Sequence, residues 1–184
     1  MAYLIGSAST TRFSSTLALS STGGPPTTLN WYNGNNTTAT GDAVATGTAQ
    51  NLHLYVNSWG SQTAVKFNIY DEDDAGTLLE SVIVTSAEGT GLFSVELAGT
   101  TTITSGNLYR ISLYTEDTDA ITLYTDTSGF TTRYSAASGS YTAPQDPSVA
   151  GSYSSFNEWY WAVDDVTAGG SIIPQIMHNR RMQQ

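Results

Sequence analysis

Residues 51–57 read NLHLYVN, and residues 64–73 read AVKFNIYDED. In the first stretch Leu52, Leu54 and Val56 alternate with His53 and Tyr55. In the second, Val65, Phe67 and Ile69 alternate with Lys66, Asn68 and Tyr70. Successive side chains of a strand point to opposite faces, so each stretch has one aliphatic face and one mixed face. Strong helix formers are few along the chain, and no long segment has apolar residues at the 3.6-residue period of a buried helix face.

The same alternation recurs on the C-terminal side. It continues in TLLESVIV from Thr77, LFSVELAG from Leu92, NLYRISLYTED from Asn107, AITLYTD from Ala120 and NEWYWAVDD from Asn157. In the last run Trp159, Trp161 and Val163 share a face, with Tyr160 opposite, which places the two tryptophans in the core. Most of these runs follow one another at about ten-residue intervals with Gly, Ser, Asn and Asp between them, the pattern of an antiparallel sandwich. Parallel strands would need helical crossovers, and no helical pattern is visible. The expected fold is therefore all-β: an antiparallel β-sandwich, jelly-roll-like or of a related Greek-key type, with extended terminal arms.

Three parts are expected. Residues 1–40 form an N-terminal arm or loop-rich lead, since STTRFSSTLALSSTGGPPTTLN mixes Ser, Thr and Gly with Pro25 and Pro26. Residues 41–167 form the sandwich. Residues 168–184, AGGSIIPQIMHNRRMQQ, form a C-terminal docking arm. The stretch YSAASGSYTAPQDPSVAGSYSSFN, residues 134–157, is either a contact loop or a flexible insertion.

Charge divides the chain unevenly. All sixteen acidic residues precede residue 166, together with four of the six basic ones, so that part carries -12; Arg180 and Arg181 give the tail +2. An acidic body of this kind is unsuited to binding nucleic acid, which calls for clustered Lys and Arg. With no cysteine there can be no disulfide, thiolate metal site or cysteine nucleophile. No apolar run reaches the length of a membrane helix, and MAYLIGSASTTRF lacks the pattern of a secretory signal. No membrane partner is expected, and release within a lysing particle is one route out of a cell.

The segment from Asn51 to Asp126 resembles a jelly-roll module found in bacterial surface proteins and phage structural proteins. The resemblance rests on the order NLHLYVN, FNIYD with its acidic turn, GTLLESV, GLFSVEL and TITSGNLYRISLYT. These motifs are structural and cover less than half of the chain. The resemblance implies a sandwich akin in fold to carbohydrate-binding domains. With short terminal arms added, it implies a phage virion component such as a capsid decoration, tail or fibre-base protein. Located in the virion at the particle surface, the chain would have other virion proteins as partners, the major capsid protein among them, and further copies of itself in a homo-oligomer.

Candidate chemistry is sparse. Asp71, Glu72, Asp73 and Asp74 offer carboxylates for a calcium ion, but the full EF-hand pattern is missing and a solvated hairpin tip explains them. Glu116, Asp117 and Asp119 would add ligands if the two turns met. His53 and His178 have no zinc-ligand spacing, and no G-x-S-x-G elbow supports a hydrolase, so no catalytic residue, cofactor or metal is assigned. Trp31, Tyr32, Trp59, Tyr153, Phe156, Trp159, Tyr160 and Trp161 are aromatics that can face a sugar ring, with core packing the alternative for Trp159 and Trp161. Trp59, in the turn NSWGSQ, is the foremost candidate for a glycan contact.

The tail supplies the partner-binding residues Ile172, Ile173, Ile176, Met177, Arg180 and Arg181. Four aliphatic side chains are too few for a separate core, Pro174 favours an extended path, and Gly169–Gly170 forms a hinge. The alternative is that the tail folds back as the last edge strand of its own sandwich.

Overall fold

The computed structural model describes residues 3–6, 9–11, 13–19, 31–34, 43–71, 73–116, 119–126, 132–135, 141–144, 146, 152–155 and 158–165; for 31–34, 126, 132–135, 152–155 and 158 it describes the backbone only. The strands are β1 (Tyr3–Ile5), β2 (Ser15–Leu19), β3 (Trp31–Gly34), β4 (Gly47–Thr48), β5 (Asn51–Ser58), β6 (Ala64–Asp71), β7 (Thr77–Thr85), β8 (Gly91–Glu96), β9 (Thr102–Ile103), β10 (Tyr109–Thr115), β11 (Ile121–Asp126), β12 (Thr132–Ser135), β13 (Ser152–Ser155), β14 (Glu158–Trp159) and β15 (Trp161–Asp164). Every pairing among them is antiparallel.

Two principal sheets form the sandwich. One holds β1, β2, β5, β8, β11, β14 and β15, and the other runs β3-β10-β6-β7. The chain passes between the sheets from β5 to β6, from β7 to β8 and from β10 to β11, whereas β6 and β7 form a hairpin within one sheet. The architecture is the expected all-β antiparallel sandwich.

The apolar parities predicted from sequence form its core. Leu52, Leu54 and Val56 of β5 face Val65, Phe67 and Ile69 of β6 and Ile111 and Leu113 of β10, with Ile121, Leu123, Trp159, Trp161 and Val163 filling the remaining space. At about 25 cal/mol per Å² of apolar surface, burial of these side chains is the main force holding the sheets together.

In the seven-stranded sheet, β5 and β11 pair only where Ser58 and Val56 meet Thr122 and Leu123. Beyond that point the last described strands occupy the space between them. β14 pairs with Thr125 and Asp126 of β11, and β15 pairs with Asn51–Leu54 of β5. The switch occurs at Tyr160, whose N–H donates to the Tyr124 carbonyl at 3.1 Å.

The N-terminal region departs from the arm or loop-rich lead expected for residues 1–40. β1 pairs with β15, β2 pairs along the whole of Ile121–Thr125, and β3 pairs with β10. Leu4, Ile5 and Leu19 are core residues. Short strands such as YLI and STLAL have too few alternations to stand out in sequence, and partner strands supply the stability.

A second departure concerns the mixed faces of β6 and β10. Asn68, Tyr70, Ser112 and Tyr114 point away from the core but are fully buried. Asn68 Nδ2 donates to Ser112 Oγ at 3.0 Å, and its Oδ1 accepts from Ser81 Oγ at 2.6 Å, so burial leaves the amide satisfied. Part of the 134–157 stretch reaches this sheet: the Lys66 ammonium lies 5.2 Å from the Tyr141 ring centre, and Asp146 Oδ1 accepts from the Leu78 N–H at 3.1 Å.

Candidate binding surface

On the outer face of the seven-stranded sheet, several of the side chains opposite the core are aromatic. β5 contributes His53 and Tyr55, β11 contributes Tyr124, and β1 contributes Tyr3. Tyr160, at the switch between β14 and β15, joins them, and Phe13, ahead of β2, closes over it. Strand alternation brings Tyr3, His53, Tyr55 and Tyr124 to this face, because each lies one residue from a core position.

The rings pack on one another. Tyr55 and Tyr124 stack with centres 4.0 Å apart at 23°. Phe13 meets Tyr160 edge-on at 5.2 Å, Tyr55 meets it edge-on at 6.2 Å, and Tyr3 lies 5.3 Å from the His53 ring. Tyr160 is buried, whereas Tyr3, Tyr55 and Tyr124 remain half-exposed. The surface therefore combines apolar ring area with phenol groups.

At one end of this surface lies Asp164, 1% exposed. Its carboxylate accepts from Asn51 Nδ2 at 2.8 Å and from His53 Nε2 at 2.8 Å, and its backbone carbonyl accepts from the Gln50 N–H at 2.8 Å. Burial, then the charges at Tyr3 and Asp164, push the Tyr160 phenol far above its ordinary range. Burial and then Asp164 also raise Tyr3. Both phenols therefore remain neutral hydrogen-bonding groups at physiological pH.

Trp59 does not occupy the position expected of a glycan contact. It is 7% exposed and belongs to the core. Its Nε1 donates to the Gly89 carbonyl at 2.6 Å, and its ring stacks on Phe93 at 6.4 Å and 23°. The turn after it is tight: Gly60 has φ +58°, and a Cβ there would lie 2.5 Å from the Ala120 carbonyl oxygen.

The acidic turn is internally engaged. Asp71 Oδ1 accepts from the N–H groups of Asp73 and Asp74 at 3.0 and 3.3 Å, and Asp73 Oδ2 accepts from the Leu108 N–H at 2.7 Å. The second acidic turn is remote. Tyr109 pairs with Asp71 at one end of the β6–β10 ladder and Thr115 with Val65 at the other, roughly 20 Å away at 3.3 Å per residue. There Glu116 accepts from Thr63 and Asp119 from Ser61. Among the described residues no group of three or more His, Asp or Glu side chains is placed to hold a metal ion.

Ile172, Ile173, Ile176, Met177, Arg180 and Arg181 lie outside the described residues, as do Glu72 and Asp117. The His53–Asn51–Asp164 cluster and the aromatic surface were missed as a site in sequence. The readable signal was the HxY parity of His53 and Tyr55 opposite an aliphatic face; nothing local points to Asp164 as their partner. The chain matches no family model, no curated protein and no solved structure.

Proposed function

We propose that this chain is a non-enzymatic structural protein of a phage virion, a β-sandwich that decorates or cements the capsid surface through its C-terminal arm. The feature that carries the proposal is the apolar, basic tail behind an acidic body: Ile172, Ile173, Ile176, Met177, Arg180 and Arg181 follow a part of the chain that carries -12. In this reading the arm docks on another molecule, because an exposed apolar segment needs a partner. The arm's +2 charge suits an acidic neighbour, including another copy of the acidic body. Other virion proteins, with the major capsid protein foremost, and further copies of the chain are the partners in this reading.

Co-sedimentation with undecorated capsids tests the proposal. Full-length protein is expected to pellet with the particles, and a chain ending at Thr167 is expected to remain folded in the supernatant. Equal sedimentation of the two would overturn the arm's role; an unfolded truncation would make the tail a strand of its own sandwich.

A second reading, a carbohydrate-binding or host-attachment module, is favoured by the half-exposed Tyr3, Tyr55 and Tyr124 on the outer sheet face. A reproducible glycan-array signal that Tyr124→Ala abolishes would place this reading ahead of the first.

A further inference from the structure

Both sheets end in an outer strand on the same side of the sandwich. β8 pairs only with β5 and β7 only with β6 among the described residues, and the short connection 86–90 joins the two edges. The β7 edge is partly engaged, since its Leu78 N–H donates to Asp146 and its Glu80 carboxylate accepts from the Ala98 N–H and from Thr101 Oγ1. Among the described strands none pairs with the outer edge of β8.

The core is incompletely covered on this side. Leu79 and Val82 of β7 and Phe93 and Val95 of β8 pack against it yet stay only half-buried. Leu92 is 48% exposed and Ile83 53%, two of the three exposed large hydrophobics among the described residues. The side is also acidic. Between Lys66 and Arg110 the chain has no basic residue, and Glu88 and Glu96 lie exposed at the two ends of the β8 edge.

We propose that the β8 edge receives residues 171–181 from a second copy of this chain as an added antiparallel strand. An open edge offers unpaired backbone groups, and strand addition satisfies them while alternate side chains enter pockets on each face. The arm matches in length: Ile172–Met177 has as many residues as Gly91–Glu96, each spanning about 20 Å when extended.

Apolar patterning matches as well. An extended arm places Ile172 and Ile176 on one face and Ile173 and Met177 on the other. The edge has apolar neighbours on both faces, Phe93 and Val95 inward and Leu92 outward. Pro174 lacks an N–H, which an edge strand tolerates.

Charge sets the direction. The spacing from Ile172 to Arg180 equals that from Glu96 back to Glu88. An antiparallel arm beginning at Glu96 thus brings Arg180 and Arg181 to Glu88. Reciprocal exchange of arms closes a dimer, and one-way exchange builds a head-to-tail chain.

The inference rests on the docking-arm reading and identifies the neighbour as another copy. Its test needs no capsid, so failure of one is distinguishable from failure of the other. Full-length wild type, Ile173→Asp and Leu92→Arg are compared by sedimentation velocity over a wide concentration range, with near-ultraviolet circular dichroism confirming the fold. Wild type is expected to associate, increasingly at low salt, and each variant to remain monomeric. A mixture of the two variants is expected to recover a heterodimer, because one retains an intact edge and the other an intact arm. A monomeric wild type, variants that associate like wild type, or a mixture that stays monomeric would overturn the proposal.

Discussion

His53 Nε2 lies 2.8 Å from Asp164 Oδ2, a contact between residues 111 apart in sequence. It fastens β5 to the end of β15, while Tyr3 of β1, paired in register with Asp164, covers the His53 ring. Three segments of the chain thus converge on one buried carboxylate.

Removing that carboxylate strands two donors. Asp164→Ala is expected to destabilise the fold by about 3 kcal/mol, the order seen when one partner of a buried hydrogen-bonded pair is deleted. Asp164→Asn, which retains an acceptor oxygen, is expected to cost less. Urea unfolding midpoints of the two variants check the order.

Trp59 is assigned to packing. Trp59→Ala is expected to cost about 3–5 kcal/mol, as large-to-small aromatic substitutions in cores do, and Trp59→Phe less. Equilibrium unfolding measures both. A fully stable Trp59→Ala protein that had lost a glycan signal would restore the ring to a binding role.

Alkaline pH is expected to weaken the fold. The phenol groups of Tyr160, Tyr3, Tyr109 and Tyr141 are raised above the ordinary value of 10.0, each chiefly by burial. A raised folded-state pKa means that the native state holds its proton where the unfolded chain releases it. The stabilisation is therefore complete below the unfolded value of 10.0 and is lost as pH rises toward the folded value. The urea midpoint is expected to fall above about pH 10, and Tyr160→Phe to make that fall shallower. An unchanged slope in the variant would remove Tyr160 from the account.

Calcium is expected to leave stability unchanged. Asp71 and Asp73 already accept from backbone N–H groups, and the second acidic turn is at the far end of the β6–β10 ladder. A ligand of the native state raises the melting temperature by mass action. Melting curves in EDTA and in millimolar calcium are therefore expected to superimpose, and a large upward shift with calcium would identify a site.

Much of the sandwich was legible in alternation alone. Leu52, Leu54, Val56, Val65, Phe67, Ile69, Trp159, Trp161 and Val163 fall on the core side as their parity requires. The mixed parities were harder to read. Asn68 and Ser112 fall on the faces opposite the core, yet they bury and bond each other. Trp59, just past the end of a strand, read as exposed because a turn residue has no parity to place it. The candidate surface was legible only in pieces, as the His53–Tyr55 pair and as Tyr160 among the aromatics suited to a sugar ring, since Tyr124 and Asp164 reach it from strands far along the chain.

Sequence by itself determined the fold class, the seven main strand runs, the inward face of most of them and the contrast between an acidic body and a basic tail. These follow from local periodicity and from charge, which need no knowledge of which strand meets which. Tertiary structure decided what depends on partners: the recruitment of β1, β2 and β3 into the sheets, the insertion of β14 and β15 between β5 and β11, the burial of Trp59 and the meeting of His53 with Asp164. Short strands gain stability from neighbours, and a buried carboxylate is stable only where distant donors converge on it.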